Sequence, residues 1–284
     1  MVLLKGFAFV FVMVLILATS PASADYLSIK YSQKNQLRTG MAWMKLKPRL
    51  VLAPRAGGRT TALPDAESGV VAVPDSLATG ELPYTSAGKL FFTRENGEIA
   101  NCSAAFAGAP NLIVTAAHCV MDADGAWNSD FLFIRAYGSS AQDTYAISCV
   151  AIPEEWGEIQ SDQPGLYDYA FLQAGRQGKG GSLGIANGMP QDALKIIGYA
   201  DNFYDGRRLI EFSFVAESSQ DGRLASLGNQ LGRGNSGAPW VSNVSTVYSV
   251  SASRRDDISS MWGPRLTDKT LSMIRYVSNG CSES

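Results

Sequence analysis

Histidine is nearly missing from this chain of 284 residues: there is one, His118. Any reaction that needs an imidazole near neutral pH must therefore run through that position. The four cysteines include no Cys-x-x-Cys pair, and with one histidine they form no zinc-ligand pattern, so neither a metal nor a cofactor is expected. Charged residues make up 18% of the chain, and past the N-terminus no apolar stretch reaches membrane length, so the mature chain is expected to be soluble. Sustained helical periodicity is scarce, and there is no internal repeat or low-complexity tract.

What is present at the start reads as an address. Lys5 precedes an unbroken apolar run over residues 6–18, and Ala22-Ser23-Ala24 is a small-residue cleavage site. This pattern predicts a secretory signal peptide over 1–24, cut before Asp25, and a secreted, periplasmic or extracellular protein. Residues 25–59 then carry eight Lys/Arg against one acid, Asp25, which leaves 15 basic and 25 acidic residues in 60–284. A pro-segment held on an acidic body by opposite charge and a solvated arm both account for this leader. Nucleic acid is disfavoured as a partner, because phosphate contacts need clustered cations and the body is net negative.

In an exported chain the cysteines are expected in disulfides. Cys102 and Cys119 flank a compact pair of strand-like segments, and closing a loop of that length stabilises by about 3 kcal/mol in the chain-entropy model. Cys149 and Cys281 remain by parity, and their spacing leaves open whether they meet.

Residues 60–80, rich in Pro, Gly, Ala and Asp, read as a loop or maturation region. Strand-like runs then recur at 88–93, 99–106, 112–116, 131–137, 144–152, 169–173, 193–199, 209–216, 238–241 and 246–251. Turn signals such as Asn96-Gly97 and Asp124-Gly125 separate them, as in sandwiches or barrels. The Gly/Ser/Asn-rich stretch 174–189 divides them into two groups. One helix is predicted near the C-terminus, capped by Thr267, with Leu271, Met273, Ile274 and Val277 on its apolar face.

Three short blocks carry chemistry: Thr115-Ala116-Ala117-His118-Cys119, Asp168 before the apolar run Tyr169-Ala170-Phe171-Leu172, and Gly234-Asn235-Ser236-Gly237-Ala238-Pro239. Singly, a histidine beside Cys and Ala is commonly a core residue, Gly-Asn-Ser-Gly a turn, and an Asp before an apolar run a strand-edge charge. Together they are the parts of a nucleophilic hydrolase. A serine hydroxyl attacks only when a base takes its proton, and the imidazole serving as base needs a carboxylate on its other nitrogen. The developing oxyanion needs N–H donors, here expected from Gly234 and Ser236, where glycines let consecutive N–H groups converge. Asp162 competes with Asp168, but its Ser/Gln/Pro/Gly surroundings point to solvent.

These blocks resemble the three signature blocks of the trypsin/chymotrypsin-like serine proteases. Residues 193–201 resemble the opening strand of the second barrel in the bacterial glutamyl-endopeptidase-like branch, and Cys102 resembles the family's partner for the cysteine after the catalytic histidine. The resemblance covers roughly 80–280. It implies an all-β fold of two six-stranded antiparallel β-barrels with a C-terminal helix, the site lying between the barrels. It implies a protease domain over 70–284, with barrels at about 80–175 and 190–265 and the helix at 267–277. It also implies His118, Asp168 and Ser236 as catalytic residues acting on protein or peptide substrates, and nothing demands more than a monomer. Asn235 departs from the family's common aspartate, which in the trypsin type pairs with a newly cut N-terminus, and no Ile-Val-Gly-Gly start is present. By the same resemblance Gln230 lies near the base of the substrate pocket with Leu231 beside it, Arg233 at the rim, and Ser251 and Ser253 on the wall. That set has no acid for a Lys/Arg substrate and no wall histidine for strict glutamate preference, so a medium polar or apolar side chain is expected. A protease-fold binding protein without catalysis is the rival reading.

Overall fold

A computed structural model of the chain describes residues 26–31, 69–122, 124–157, 164–255 and 259–282. The predicted signal peptide, most of the basic leader and Asp162 lie outside these residues.

Short runs of β-branched, aromatic and alanine residues form the strands, as expected for segments half or wholly buried on a pleated surface. In chain order these are β1 (Tyr26–Lys30), β2 (Val70–Ala72), β3 (Ala87–Thr93), β4 (Ile99–Phe106), β5 (Leu112–Thr115), β6 (Ser129–Arg135), β7 (Asp143–Pro153), β8 (Ala170–Ala174), β9 (Gly184–Ile185), β10 (Leu194–Gly198), β11 (Ile210–Phe214), β12 (Glu217–Ser218), β13 (Leu224–Ser226), β14 (Pro239–Val241), β15 (Thr246–Val250), β16 (Ser253–Arg255) and β17 (Ser260–Gly263). Helices are α1 (Asp75–Gly80), α2 (Glu154–Gly157) and α3 (Asp268–Ser278).

The first half closes on itself. β6, β3, β4, β5, β8 and β7 pair in that order, and β7 returns to β6, giving a six-stranded antiparallel barrel. β7 makes closure possible by serving two neighbours in succession: residues 143–146 face β6, and from Ile147 on the strand faces β8, with a register shift between Ile147 and Cys149. Phe106 fills the barrel, edge-on to Phe133 and Tyr145 with ring centroids 5.3 and 4.9 Å away.

The second half forms a six-stranded sheet, β2-β11-β10-β14-β15-β9, and a four-stranded sheet, β12-β13-β17-β16. Trp240 is fully buried between them, its ring T-shaped to Phe214 at 5.0 Å. A third apolar cluster joins the halves, with Leu112 and Tyr137 from the first, Tyr199 and Val250 from the second, and Met273 and Val277 from α3.

The stretch 174–189 runs between β8 and β10, and within it Gly184–Ile185 pairs parallel with β15 of the second half. Residues 70–80 differ from their loop reading: Val70–Ala72 pairs with β11, and α1 follows. α3 starts after Thr267 as predicted, with Thr270 Oγ1 accepting the Thr267 N–H at 3.0 Å. Its apolar face is narrower than predicted. Met273 and Val277 are buried, Ile274 is half-buried, and Leu271 is 41% exposed because the helix packs on one side only. No helix among the described residues is long and apolar enough to cross a membrane.

Part of the leader belongs to the barrel. Tyr26–Lys30 adds antiparallel to residues 149–153 of β7. Ser28 Oγ is 2.7 Å from Tyr276 Oη and Lys30 Nζ donates to Ser282 Oγ at 2.8 Å, so this strand touches α3 and the tail after it. The tail is tied to β7 by the Cys149–Cys281 disulfide, and Cys102–Cys119 closes the shorter loop in the first half.

The two disulfides span 132 and 17 residues, and restriction of the unfolded chain grows with that length. Replacing Cys149 and Cys281 together by Ser is expected to lower the unfolding free energy by about 5 kcal/mol, against about 3 kcal/mol for the Cys102/Cys119 double replacement. Urea unfolding of the two double variants checks the order.

Candidate active site

One strand pair brings His118 and Asp168 together. β5 and β8 are antiparallel partners with Thr115 opposite Ala170. The chain leaves β5 through Ala116 into a single 3-10 turn, Ala117–Cys119, and Asp168 lies two residues before β8, so both side chains emerge from the same end of the same pair. Asp168 is buried, and its two oxygens go to one residue. Oδ2 is 2.8 Å from His118 Nδ1, and Oδ1 accepts the His118 backbone N–H at 3.0 Å. A carboxylate can only accept, so Nδ1 carries the proton and the Nε2 lone pair is left to act as a base.

The electrostatics follow from that contact. Burial by itself pushes the His118 imidazole down, but the charge and hydrogen bond of Asp168 outweigh it, and the net position is above the ordinary histidine value. Arg94 lowers it and Asp122 raises it by smaller amounts.

Ser236 is half-buried, on the loop between β13 and β14. Gly234 and Gly237 on either side have φ of +82° and +76°, a region that a side chain at those positions would strain. Gly237 is also needed for space: a Cβ there would stand 2.0 Å from Thr115 Oγ1 and 2.9 Å from Ala116 N. The serine loop is thus pressed against the segment that leads into His118. Asp201 N–H donates to the Arg233 carbonyl at 2.7 Å, which turns the Gly234 N–H of the same trans peptide to the opposite side.

Ser103 is not among the expected site residues, yet it joins the serine loop to the strand that leads into His118. It is fully buried in β4, next to Cys102. Its N–H donates to Ser236 O at 2.8 Å, its Oγ donates to Gly234 O at 2.9 Å and accepts Tyr199 N–H at 2.8 Å, and its carbonyl accepts Thr115 Oγ1 at 2.9 Å. The available signal was a polar residue within the apolar run Cys102-Ser103-Ala104-Ala105-Phe106, since a buried hydroxyl needs partners.

The five predicted pocket residues divide. Gln230 and Arg233 are exposed, and Ser253 is half-buried with Arg223 Nη1 donating to its hydroxyl at 3.3 Å. Leu231 is fully buried in the core of the second half, and Arg254 Nη1 donates to its carbonyl at 2.5 Å. Ser251 is fully buried, and its Oγ accepts Asn235 Nδ2 and Trp240 Nε1, both at 3.0 Å. Arg223 and Arg254 had not been anticipated. Cys102, Cys119 and His118 lie close together, but both sulfurs are in the disulfide and so are no metal ligands.

No protein-family model matches the chain, and no curated protein does. Solved structures resemble it. A thermostable serine protease, AL20, from an extremophilic microorganism has a TM-score of 0.60 at 23% identity, over 69% of this chain and 97% of that one. The protease Anisep from Arthrobacter nicotinovorans gives 0.58 at 25% identity over 71% and 98%, and a Glu endopeptidase in complex with MPD gives 0.61 at 19% over 74% and 97%. The chain has the trypsin-like serine-protease fold.

Because the chain has one histidine, the untagged protein gives one titrating imidazole signal by NMR. Its midpoint is expected above about 6.5 in the wild type and lower in Asp168→Asn, which removes the charge that raises it. A wild-type midpoint at or below that value contradicts the geometry. The sign carries to stability: the protonated pair stabilises the fold below the ordinary histidine range, and this contribution fades as pH rises through the folded His118 midpoint.

Proposed function

We propose that this chain is a secreted serine endopeptidase. The observation that carries the reading is the 2.8 Å contact of His118 Nδ1 with buried Asp168, on a turn against which the Ser236 loop is pressed. A protease fold by itself hosts non-catalytic proteins as well, so the argument rests on the site.

In the proposed reaction Ser236 Oγ attacks the peptide carbonyl while His118 Nε2 takes its proton. Asp168 holds the ring and stabilises the imidazolium. The Gly234 and Ser236 N–H groups receive the oxyanion. The tetrahedral adduct collapses as His118 gives its proton to the departing amine, leaving an acyl-serine. Water, deprotonated by His118, then hydrolyses the ester and restores Ser236.

Specificity belongs to the same proposal. With Gln230 near the base, no acid there, and Arg233 at the rim, a medium polar or apolar side chain is preferred over Lys or Arg. Export through residues 1–24 is supported by the two disulfides, which suit an oxidising compartment. Maturation between Arg59 and Val70, with the basic leader removed, would keep β2 on the mature chain and sever β1 from it. The secreted protein is then expected to show a new N-terminus within 60–70, and N-terminal sequencing that finds a fully active protein starting at Asp25 overturns this part.

The rival, a non-catalytic binding protein on this fold, is separated by a fluorophosphonate probe. Wild type is expected to be labelled and Ser236→Ala not. Turnover of a peptide library is expected to fall about 10⁶-fold in Ser236→Ala and about 10⁴-fold in Asp168→Asn. A folded wild type that takes no label and cleaves no peptide favours the binding protein.

A further inference from the structure

A buried ammonium stands behind the serine loop, and no step of the proposed reaction uses it. Lys89, in β3, is 4% exposed. Its Nζ donates to Gly206 O at 2.9 Å and lies 3.5 Å from Asp201 Oδ1, with the Tyr137 and Phe91 ring centroids 5.5 and 6.0 Å away. Lysine is rarely buried unless paired, because the ammonium gives up its water. Here the cation belongs to the first half, while its carboxylate and carbonyl partners come from the turn after β10 in the second.

Asp201 is in turn locked to the residues before Ser236. Besides the hydrogen bond from its N–H to Arg233 O, its Oδ1 lies against the next glycine. A Cβ built on Gly234 would stand 2.6 Å from that oxygen, and one on Gly206 would stand 2.6 Å from it and 2.7 Å from Lys89 Nζ. Rotation of the Arg233–Gly234 peptide would turn its carbonyl where its N–H now points and present an acceptor to an anion. Inside the loop Asn235 is neutral and bonded to Ser251, so the ion pair on this side of the loop is Lys89–Asp201.

We propose that Lys89 and Asp201 are positioning residues for the oxyanion site. The Lys89 ammonium holds the Asp201 carboxylate, and Asp201 holds the Arg233 carbonyl. The Gly234 N–H is thereby set before substrate arrives, by a cation from the body of the barrel. This rests on the serine-hydrolase reading above.

The test uses the full secreted enzyme with Lys89→Met, Lys89→Arg and Asp201→Asn. Turnover of a peptide substrate is measured beside inhibition by a peptide boronate, whose tetrahedral adduct places an oxygen at the oxyanion site, and beside Tm. Lys89→Met and Asp201→Asn are each expected to lower kcat about 10–100-fold with KM within about twofold, and to weaken the boronate in parallel, since loss of one donor outright costs about 10²–10³. Lys89→Arg is expected to recover a substantial part of both. Should the variants lose Tm while kcat and boronate affinity stay within about twofold of wild type, the pair is structural and the proposal fails. Asp201→Asn decides the matter even where Lys89→Met does not fold, because the Asp201 side chain is 32% exposed and Asn keeps its shape and its backbone N–H. A folded wild type with neither turnover nor Ser236 labelling removes the hydrolase reading, and this proposal with it.

Discussion

A carboxyl group taken out of water must have its oxygens hydrogen-bonded, and Asp168 meets that demand through a single residue. One oxygen holds the His118 ring and the other holds its backbone N–H. The second bond matters as much as the first, because it places the turn on which the ring is mounted. Both require β5 and β8 to pair in their present register, since a slip of one residue would turn one of the two side chains to the other face. That register is held by closure: β8 is bonded to β7 along its other edge. The imidazole's tautomer and basicity thus depend on the closure of the barrel.

The serine loop lies outside that barrel and is brought to it by small residues. Ser103, Thr115, Gly234 and Gly237 meet where the two halves touch, and the bonds among them use backbone groups and short hydroxyls. Bulk at Gly237 would collide with Thr115 and with Ser103, so close approach and hydrogen bonding go together there. Neither half holds the whole constellation. A displacement of one half against the other would strain the bonds of Ser103, three of which run between them.

The longer strands were legible because their apolar runs have one period and clear turn signals. β3 to β8, β10, β11, β14 and β15 all fall on predicted runs. The missed strands are short and polar, as in Glu217–Ser218 and Ser253–Arg255, or depend on distant partners, as in Tyr26–Lys30, whose apolar content alone does not place it on β7. Leu271 carried the right spacing but lies on a helix packed along one side. His118 and Asp168 were readable because their local blocks carry the signal. Ser103 was not, since its partner Gly234 is 131 positions away and its own surroundings look like ordinary strand. Lys89 in an apolar strand was the clearest overlooked sign, a charge in a place where its burial demands a partner.

Ser251 shows how neighbours decide a residue's task. Its place in the sequence suits a pocket wall, yet its hydroxyl is spent on Asn235 and Trp240. An aspartate at 235, buried as Asn235 is, would need a cation against it, because a buried unpaired charge is more costly than any single hydrogen bond is worth. An amide needs none, and the serine oxygen can accept from both the amide and the indole. The neutral residue at 235 and the buried hydroxyl at 251 are therefore two sides of one solution, which holds the loop from within without adding charge beside Ser236. Charge is kept outside the loop itself, where Lys89 meets Asp201. On the proposed reading, Gly234 and Ser236 then present N–H groups to an oxyanion with no fixed anion within the loop to oppose it.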